Sequence, residues 1–276
     1  MENLDYKMPI REQNSNKGTF GRILNIAGSD NYIGAAYLST YAALKIGAGY
    51  VALATEPNVI KSVSQMLPEA VYMEVPYAYR RLNDFTVVLI GCGISQGFTA
   101  KHNFKFIINY FKNKETPIVI DADGLNILAA MQNICLPQNT IITPHPMEAA
   151  RLLVKDINDV LADLESSAME LVEKYNCTVV LKTHRTIICD KCNMFVNEYG
   201  NSALAKAGTG DVLAGIISGL LAQKMIPFEA AKLGVYLHSR AGELASEELT
   251  EYSVMASDVL KYLPLAIKEL MHKPIK

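Results

Sequence analysis

The sequence predicts a doubly wound α/β domain, with helices on both faces of a mostly parallel sheet. Three observations lead there. Short apolar runs alternate with stretches of helical length along nearly the whole chain. Most of these runs are apolar throughout rather than at every second residue, as strands covered on both faces are. No repeat, low-complexity tract or long linker breaks the alternation, so residues 1–276 are expected to form one domain.

The elements follow in order. "GRILNIAG" (21–28) reads as a strand, 34–46 as an amphipathic helix, and "GYVALAT" (49–55) as a second strand with a helix after Pro57. "FTVVLIGCG" (85–93) and "PIVIDADG" (117–124) are apolar runs bounded by turn residues, and "KHNFKFIINYFKNK" between them suits a crossover helix. "NTIITPHP" (139–146) is a short strand ending at prolines; 158–175 reads as one long helix and "TVVLK" (178–182) as a strand. Residues 186–196 suggest a hairpin with a two-residue turn at Asp190 and Lys191, and three helices follow at 211–223, 228–248 and 256–272.

Bulk composition narrows the function. Half of the 276 residues are hydrophobic and a fifth are charged, an ordinary soluble composition. A net charge of −2 supplies no field for nucleic acid or an anionic membrane, so neither is expected as a partner. The N-terminus "MENLDYKMPIREQ" has no apolar core of a signal peptide, and the apolar stretch 34–54 is divided by Lys45, Gly47 and Gly49. Five irregularly spaced cysteines argue against a disulfide framework, and the expected location is the cytoplasm. "CDKC" (189–192) has no second pair at zinc spacing and reads as the hairpin turn.

In doubly wound sheets, ligands bind beyond the carboxyl ends of the strands. Here those ends read Gly28-Ser29-Asp30, Gly91-Cys92-Gly93, Asp121-Ala122-Asp123-Gly124-Leu125-Asn126 and Thr143-Pro144-His145-Pro146. Each has a plain reading as well: a tight turn, a helix cap or a surface histidine. Together they describe a cleft floor of small and polar groups. The stretch "ALAKAGTGDVLAGIISGLLA" (203–222) adds a helix that opens with Gly208, Thr209 and Gly210, then Asp211. Its free N–H groups and effective charge of about +0.5 suit a phosphate, and the glycines let one approach. Asp211 is either a simple cap or a general base that takes a proton from an attacking hydroxyl. Gly215 and Gly219 read as helix packing. No Walker loop follows Gly28, and the dinucleotide fingerprint lacks its middle glycine.

These fragments also carry a resemblance. "NKGTFGRILNIAGS", "GAAYLSTYAALKIGAGYV", "DADGLN", "TPHPMEAARLL" and "GNSALAKAGTGDVLAG" are similar, in order and spacing, to the NAD(P)H-hydrate dehydratases of the ribokinase-like superfamily, over about residues 15–265. The resemblance implies a ribokinase-like three-layer α/β/α fold with a central, mostly parallel sheet. It also implies a repair reaction in which ADP or ATP, with Mg²⁺, phosphorylates the ring hydroxyl of NADHX or NADPHX and phosphate then leaves. Carried over by position, Asp211 is the base, Gly208, Thr209 and Gly210 form the anion hole, and Ala35, Gly93, Asn126 and His145, with Asp211, contact the substrate. Lys182, Thr183, His184, Arg185 and Thr186, with Gly210, contact the nucleotide, and Asp121 or Asp123 contacts Mg²⁺ through water. The chain departs from the family at Thr183, Met147 and Ala207, where glycine is usual. It is too short for the family's common N-terminal epimerase domain, so a stand-alone form is expected, and a homo-oligomer is implied. The alternatives are a small-molecule kinase of the same superfamily (hydroxyethylthiazole, pyridoxal or sugar) and a nucleotide-binding protein without catalysis.

Overall fold

The computed structural model describes residues 6–131 and 134–272. The expectations for the first five and last four residues, part of the N-terminal reading and the ends of the 1–276 domain, lie outside the described residues.

Nine strands form one sheet in the order β3-β2-β1-β4-β5-β6-β7-β8-β9. They are β1 (Arg22–Ile26), β2 (Tyr50–Thr55), β3 (Val71–Glu74), β4 (Val87–Ile90), β5 (Ile118–Ile120), β6 (Thr140–Ile142), β7 (Thr178–Leu181), β8 (Ile187–Cys189) and β9 (Met194–Val196). Pairing is parallel from β3 across to β7 and antiparallel for β7–β8 and β8–β9. The expected three-layer α/β/α architecture is therefore present.

Helices cover both faces: α1 (Ile33–Lys45), α2 (Pro57–Val63), α3 (Val75–Ala78), α4 (Phe98–Phe111), α5 (Asp123–Ala129), α6 (Pro146–Leu153), α7 (Ile157–Ala162), α8 (Leu164–Tyr175), α9 (Thr209–Ala222), α10 (Pro227–Leu249) and α11 (Ala256–His272). Strand residues alternate between two buried layers. Ile23, Leu53, Leu89 and Val180 face α1, α2, α9, α10 and α11, while Leu24, Ile90, Ile120 and Val179 face α4, α5, α6 and α8. This double covering is why the strands read as continuous apolar runs.

The chain runs from β1 outward to β2 and β3, then returns to the other side of β1 at β4. The switch point therefore lies between β1 and β4, where a crevice opens at the strand ends. Against the near side, α1 packs on α9. A Cβ on Gly215 would stand 2.3 Å from the Ser39 carbonyl oxygen, and one on Gly219 would stand 2.8 Å from that of Ala43. Both glycines are packing residues, and they bring the N-termini of α1 and α9 together at the crevice.

Several expectations need correction. The stretch 158–175 is two helices, because Asp163 leaves helical geometry (φ −146°, ψ 90°) and caps α8 by accepting from the Ser166 N–H at 2.9 Å. The hairpin turn is longer than two residues: Asp190 to Asn193 form the loop, with Asp190 Oδ1 accepting from the N–H groups of Cys192 and Asn193, both at 2.8 Å. Helix α6 was hidden by prolines read as stops, although Pro146 at its first position starts it. Edge strand β3 is short and half exposed, so it carried no clear pattern.

Candidate active site

Five strand ends meet along one edge. Gly28 follows β1, Gly91-Cys92-Gly93 follow β4, Asp121 follows β5, Thr143 follows β6 and Lys182 follows β7. Backbone bonds tie the first two together: the Gly28 N–H donates to the Cys92 carbonyl at 2.8 Å, and the Ser29 hydroxyl donates to the Gly93 carbonyl at 2.9 Å. Gly91 needs a positive φ (128°), and a Cβ there would overlap the Asp121 carbonyl oxygen, so β4 and β5 approach too closely for a side chain.

Over this edge lies a cavity of about 910 Å³. Its floor is Asp121, His145, Glu148 and Lys182; the N-terminus of α9, Gly208 to Asp211, forms one wall. The turn after β7 (Thr183, His184 and Thr186) and the segment Tyr199–Gly208 extend it sideways toward α10. A volume of this size lies within the range of small-molecule and cofactor sites.

The α9 mouth is kept free of side-chain bulk. Gly208 caps the helix in the left-handed region (φ 92°), where an added Cβ would reach 2.6 Å from Leu38 of α1. A Cβ on Gly210 would lie 3.4 Å from Lys182 Nζ, so the glycine keeps space above that ammonium. Thr209 has a different task. Its hydroxyl lies 2.8 Å from the carbonyl oxygens of both Leu204 and Lys206, which fastens the incoming loop to the helix. Its backbone N–H donates to the Lys206 carbonyl as well, at 3.4 Å.

Asp211 sits in the first turn of α9, partly buried, with no lysine or arginine paired to it among the described residues. Burial, then the charge of Asp121, pushes its carboxyl up to about 7, while a hydrogen bond from the Cys92 thiol and the Lys182 charge pull it back. Such a group is ionised in part at neutral pH and basic enough to take a proton. Below it, Lys182 Nζ lies 2.6 Å from Asp121 Oδ1, which also accepts from the Thr143 hydroxyl at 2.7 Å. Glu148 stands 3.9 Å from the same ammonium, and burial raises its carboxyl to about 7. Burial opposes the Lys182 charge, but Asp121 and Glu148 outweigh it and hold the ammonium above its ordinary value.

His145 caps α6. Its Nδ1 accepts from the Glu148 N–H at 3.4 Å, and Glu148 returns the bond by accepting from the His145 N–H at 2.8 Å. Burial, with Lys182 nearby, lowers the imidazole, so the ring is neutral at pH 7.

The structure thus gathers Asp211, Gly208, Thr209, Gly210, His145, Lys182, Thr183, His184 and Thr186 around one cavity. Ala35 and Gly93 are not among the residues that line it, although they lie beside each other: a Cβ on Gly93 would stand 2.9 Å from that of Ala35. Three residues point elsewhere. Arg185 pairs with Glu198 at the surface, Asn126 Oδ1 accepts from Arg151, and Asp123 accepts from the Ser95 N–H at 2.8 Å and from Gln96 at 3.2 Å. Sequence reasoning passed over Glu148, Tyr199 and His238 as cavity residues. Glu148 carried a signal, since its place three residues after a cap fits a capping box. His238 did not, because it stands mid-helix among apolar neighbours.

A mostly parallel sheet with this crevice, and with Asp211 beside the glycines of the α9 mouth, defines a ribokinase-like protein. A family model described as NAD(P)H-hydrate dehydratase matches residues 23–265. An ADP-dependent (S)-NAD(P)H-hydrate dehydratase of Neisseria meningitidis is 37% identical, with 86% of this chain and 81% of that one covered. The bifunctional NAD(P)H-hydrate repair enzyme Nnr of Coxiella burnetii is 36% identical over 94% of this chain, which spans about half (53%) of that relative's length. Among solved structures, the ADP/ATP-dependent NAD(P)H-hydrate dehydratase of Bacillus subtilis, co-crystallised with ATP and Mg²⁺, superposes with a TM-score of 0.85 at 30% identity, covering 95% of this chain and 94% of that one. The chain belongs to the NAD(P)H-hydrate dehydratase family.

Proposed function

We propose that this chain dehydrates NADHX or NADPHX to the intact reduced cofactor, using ADP or ATP as phosphoryl donor. One observation carries the reading: Asp211 stands at the Gly208–Gly210 helix mouth, within the cavity that Lys182, Thr183, His184 and Thr186 also line. Asp211 removes the ring hydroxyl proton as that oxygen attacks the terminal phosphorus, typically worth ~10²–10⁴-fold for a general base. The bond from phosphorus to the departing nucleotide oxygen breaks, and the N–H groups of the α9 mouth hold the transferring group. The ring carbon–oxygen bond then breaks with its electron pair on phosphate, and a proton leaves the neighbouring carbon to restore the double bond.

His145, Ala35 and Gly93, with Asp211, take the hydrated ring; the turn Lys182 to Thr186, with Gly210, takes the nucleotide. Arg185 and Asn126 belong to these sets only through a change of partner, since both are engaged elsewhere. Mg²⁺ favours oxygen ligands and keeps several waters. The donor set fits it through water: Asp121 Oδ1 is taken by Lys182 and Thr143, and both oxygens of Asp123 accept from protein groups. Asp121, or Asp123 through a change of partner, would hold the hydrated ion, which neutralises phosphate charge when bound. The same reading makes the chain a cytoplasmic, single-domain homo-oligomer that meets small molecules rather than nucleic acid or membrane. In support, no helix of the described residues is long and apolar enough to cross a membrane, and all five cysteines are free.

The test is incubation of hydrated NADPH or NADH with Mg²⁺ and either nucleotide. Recovery of dihydropyridine absorbance with release of phosphate is expected. A phosphorylated product that keeps its phosphate, with no absorbance recovered, would overturn the reading in favour of a kinase.

A further inference from the structure

Cys92 is a buried side chain at this edge to which the mechanism gives no task. It is wholly buried, and its backbone is pinned on both sides. Gly91 cannot carry a Cβ against Asp121, a Cβ on Gly93 (φ 65°) would lie 2.5 Å from that of Tyr32, and the Cys92 carbonyl accepts from Gly28. With the main chain so fixed, the side chain is directed at the α9 mouth. Its Sγ and one carboxylate oxygen each of Asp121 and Asp211 all lie within 4.8 Å of one another.

The two acids beside it are held differently. Asp121 has the Lys182 ammonium and the Thr143 hydroxyl. Asp211 has no cation of its own among the described residues, and the Cys92 thiol lies within 4.8 Å of one of its oxygens. A carboxylate with a lysine partner would be well oriented but weakened as a base. One with no donor would be free to rotate. A thiol is a weak donor, so it orients the group while leaving it basic.

Resting on the proposed reaction, we propose that Cys92 is a positioning residue: its S–H occupies one oxygen of Asp211 and so turns the other toward the substrate hydroxyl.

Two measurements test this. Infrared spectroscopy of the unliganded protein reads the S–H stretching band of Cys92, assigned by its disappearance in Cys92→Ala. The band is expected at the low frequency of a thiol bonded to a carboxylate, and to rise in Asp211→Asn. A band that Asp211→Asn leaves unmoved overturns the proposal. Kinetics then separates orientation from packing. Cys92→Ala is expected to lose about tenfold in kcat, as for one net hydrogen bond, with KM for both substrates within about twofold. Cys92→Ser, which keeps a donor and nearly the same volume, is expected to restore most of kcat. An alanine variant with undiminished kcat, or a serine variant no better than alanine, overturns the proposal. If the wild-type protein turns over no hydrate while the band still shifts, the contact stands and the failure belongs to the substrate reading.

Discussion

The ammonium of Lys182 lies 2.6 Å from Oδ1 of Asp121, an acid 61 positions earlier in the chain. The lysine at the head of the turn after β7 therefore reaches down to the end of β5 and neutralises a carboxylate that is 1% exposed. It sits directly under the α9 mouth, where a phosphate would add a further counter-charge.

Removing that ammonium should cost stability as well as activity. Lys182→Met leaves Asp121 charged and buried, and breaking such a pair from one side costs about 3 kcal/mol. The midpoint of urea unfolding should fall accordingly, and Asp121→Asn in the same chain should recover part of the loss. A midpoint unchanged in Lys182→Met would show that Asp121 does not depend on this pair.

Asp211→Asn keeps the shape of the base and removes its function. Turnover should drop by ~10²–10⁴-fold, with nucleotide affinity, read by calorimetry, changed little. Turnover within a few-fold of wild type would assign the proton transfer to another group.

The raised carboxyls of Asp211 and Glu148, both about 7, give two pH dependences. With Asp211 as the proposed base, only its ionised form is active, so kcat should fall as pH drops through about 7. Stability moves the other way. A carboxyl raised by folding binds its proton more tightly in the native state, so its contribution is full below the unfolded value near 4 and is lost as pH rises through about 7. Thermal unfolding of wild type against the Asp211→Asn, Glu148→Gln double variant should show a steeper decline from pH 4 to 7 in wild type. Parallel profiles would contradict this.

Gly215 tests how the site is held. The Cβ of Gly215→Ala would meet the Ser39 carbonyl oxygen at 2.3 Å. Backbone cannot yield there, so α9 must shift from α1 at a cost of roughly 1–3 kcal/mol. A lowered melting temperature and a raised KM for nucleotide are expected together, because the same helix carries the proposed phosphate site. An unaltered melting temperature would mean that the two helices are not in close contact.

Local chemistry made much of this legible. The apolar runs of β1, β4, β5 and β7 announce strands covered on both faces, and Gly208-Thr209-Gly210-Asp211 announces a helix mouth suited to phosphate. Elements with contradictory local signals were lost. The apolar period of 158–175 runs straight across the Asp163 break, and Pro146 resembles a stop until its place at the first helical position is known.

The sequence alone determined the α/β class, the set of small and polar strand ends, and Asp211 as the acid beside the glycines. These depend on residue order and period, which a chain carries before it folds. Only the tertiary structure decided which groups face one another: that Lys182 answers Asp121, that Cys92 lies against Asp211, and that Arg185 and Asn126 are engaged elsewhere. Partners of this kind come from strands and helices far apart in sequence. Their meeting is set by sheet order and by the close approach of α1 and α9, which no local pattern encodes.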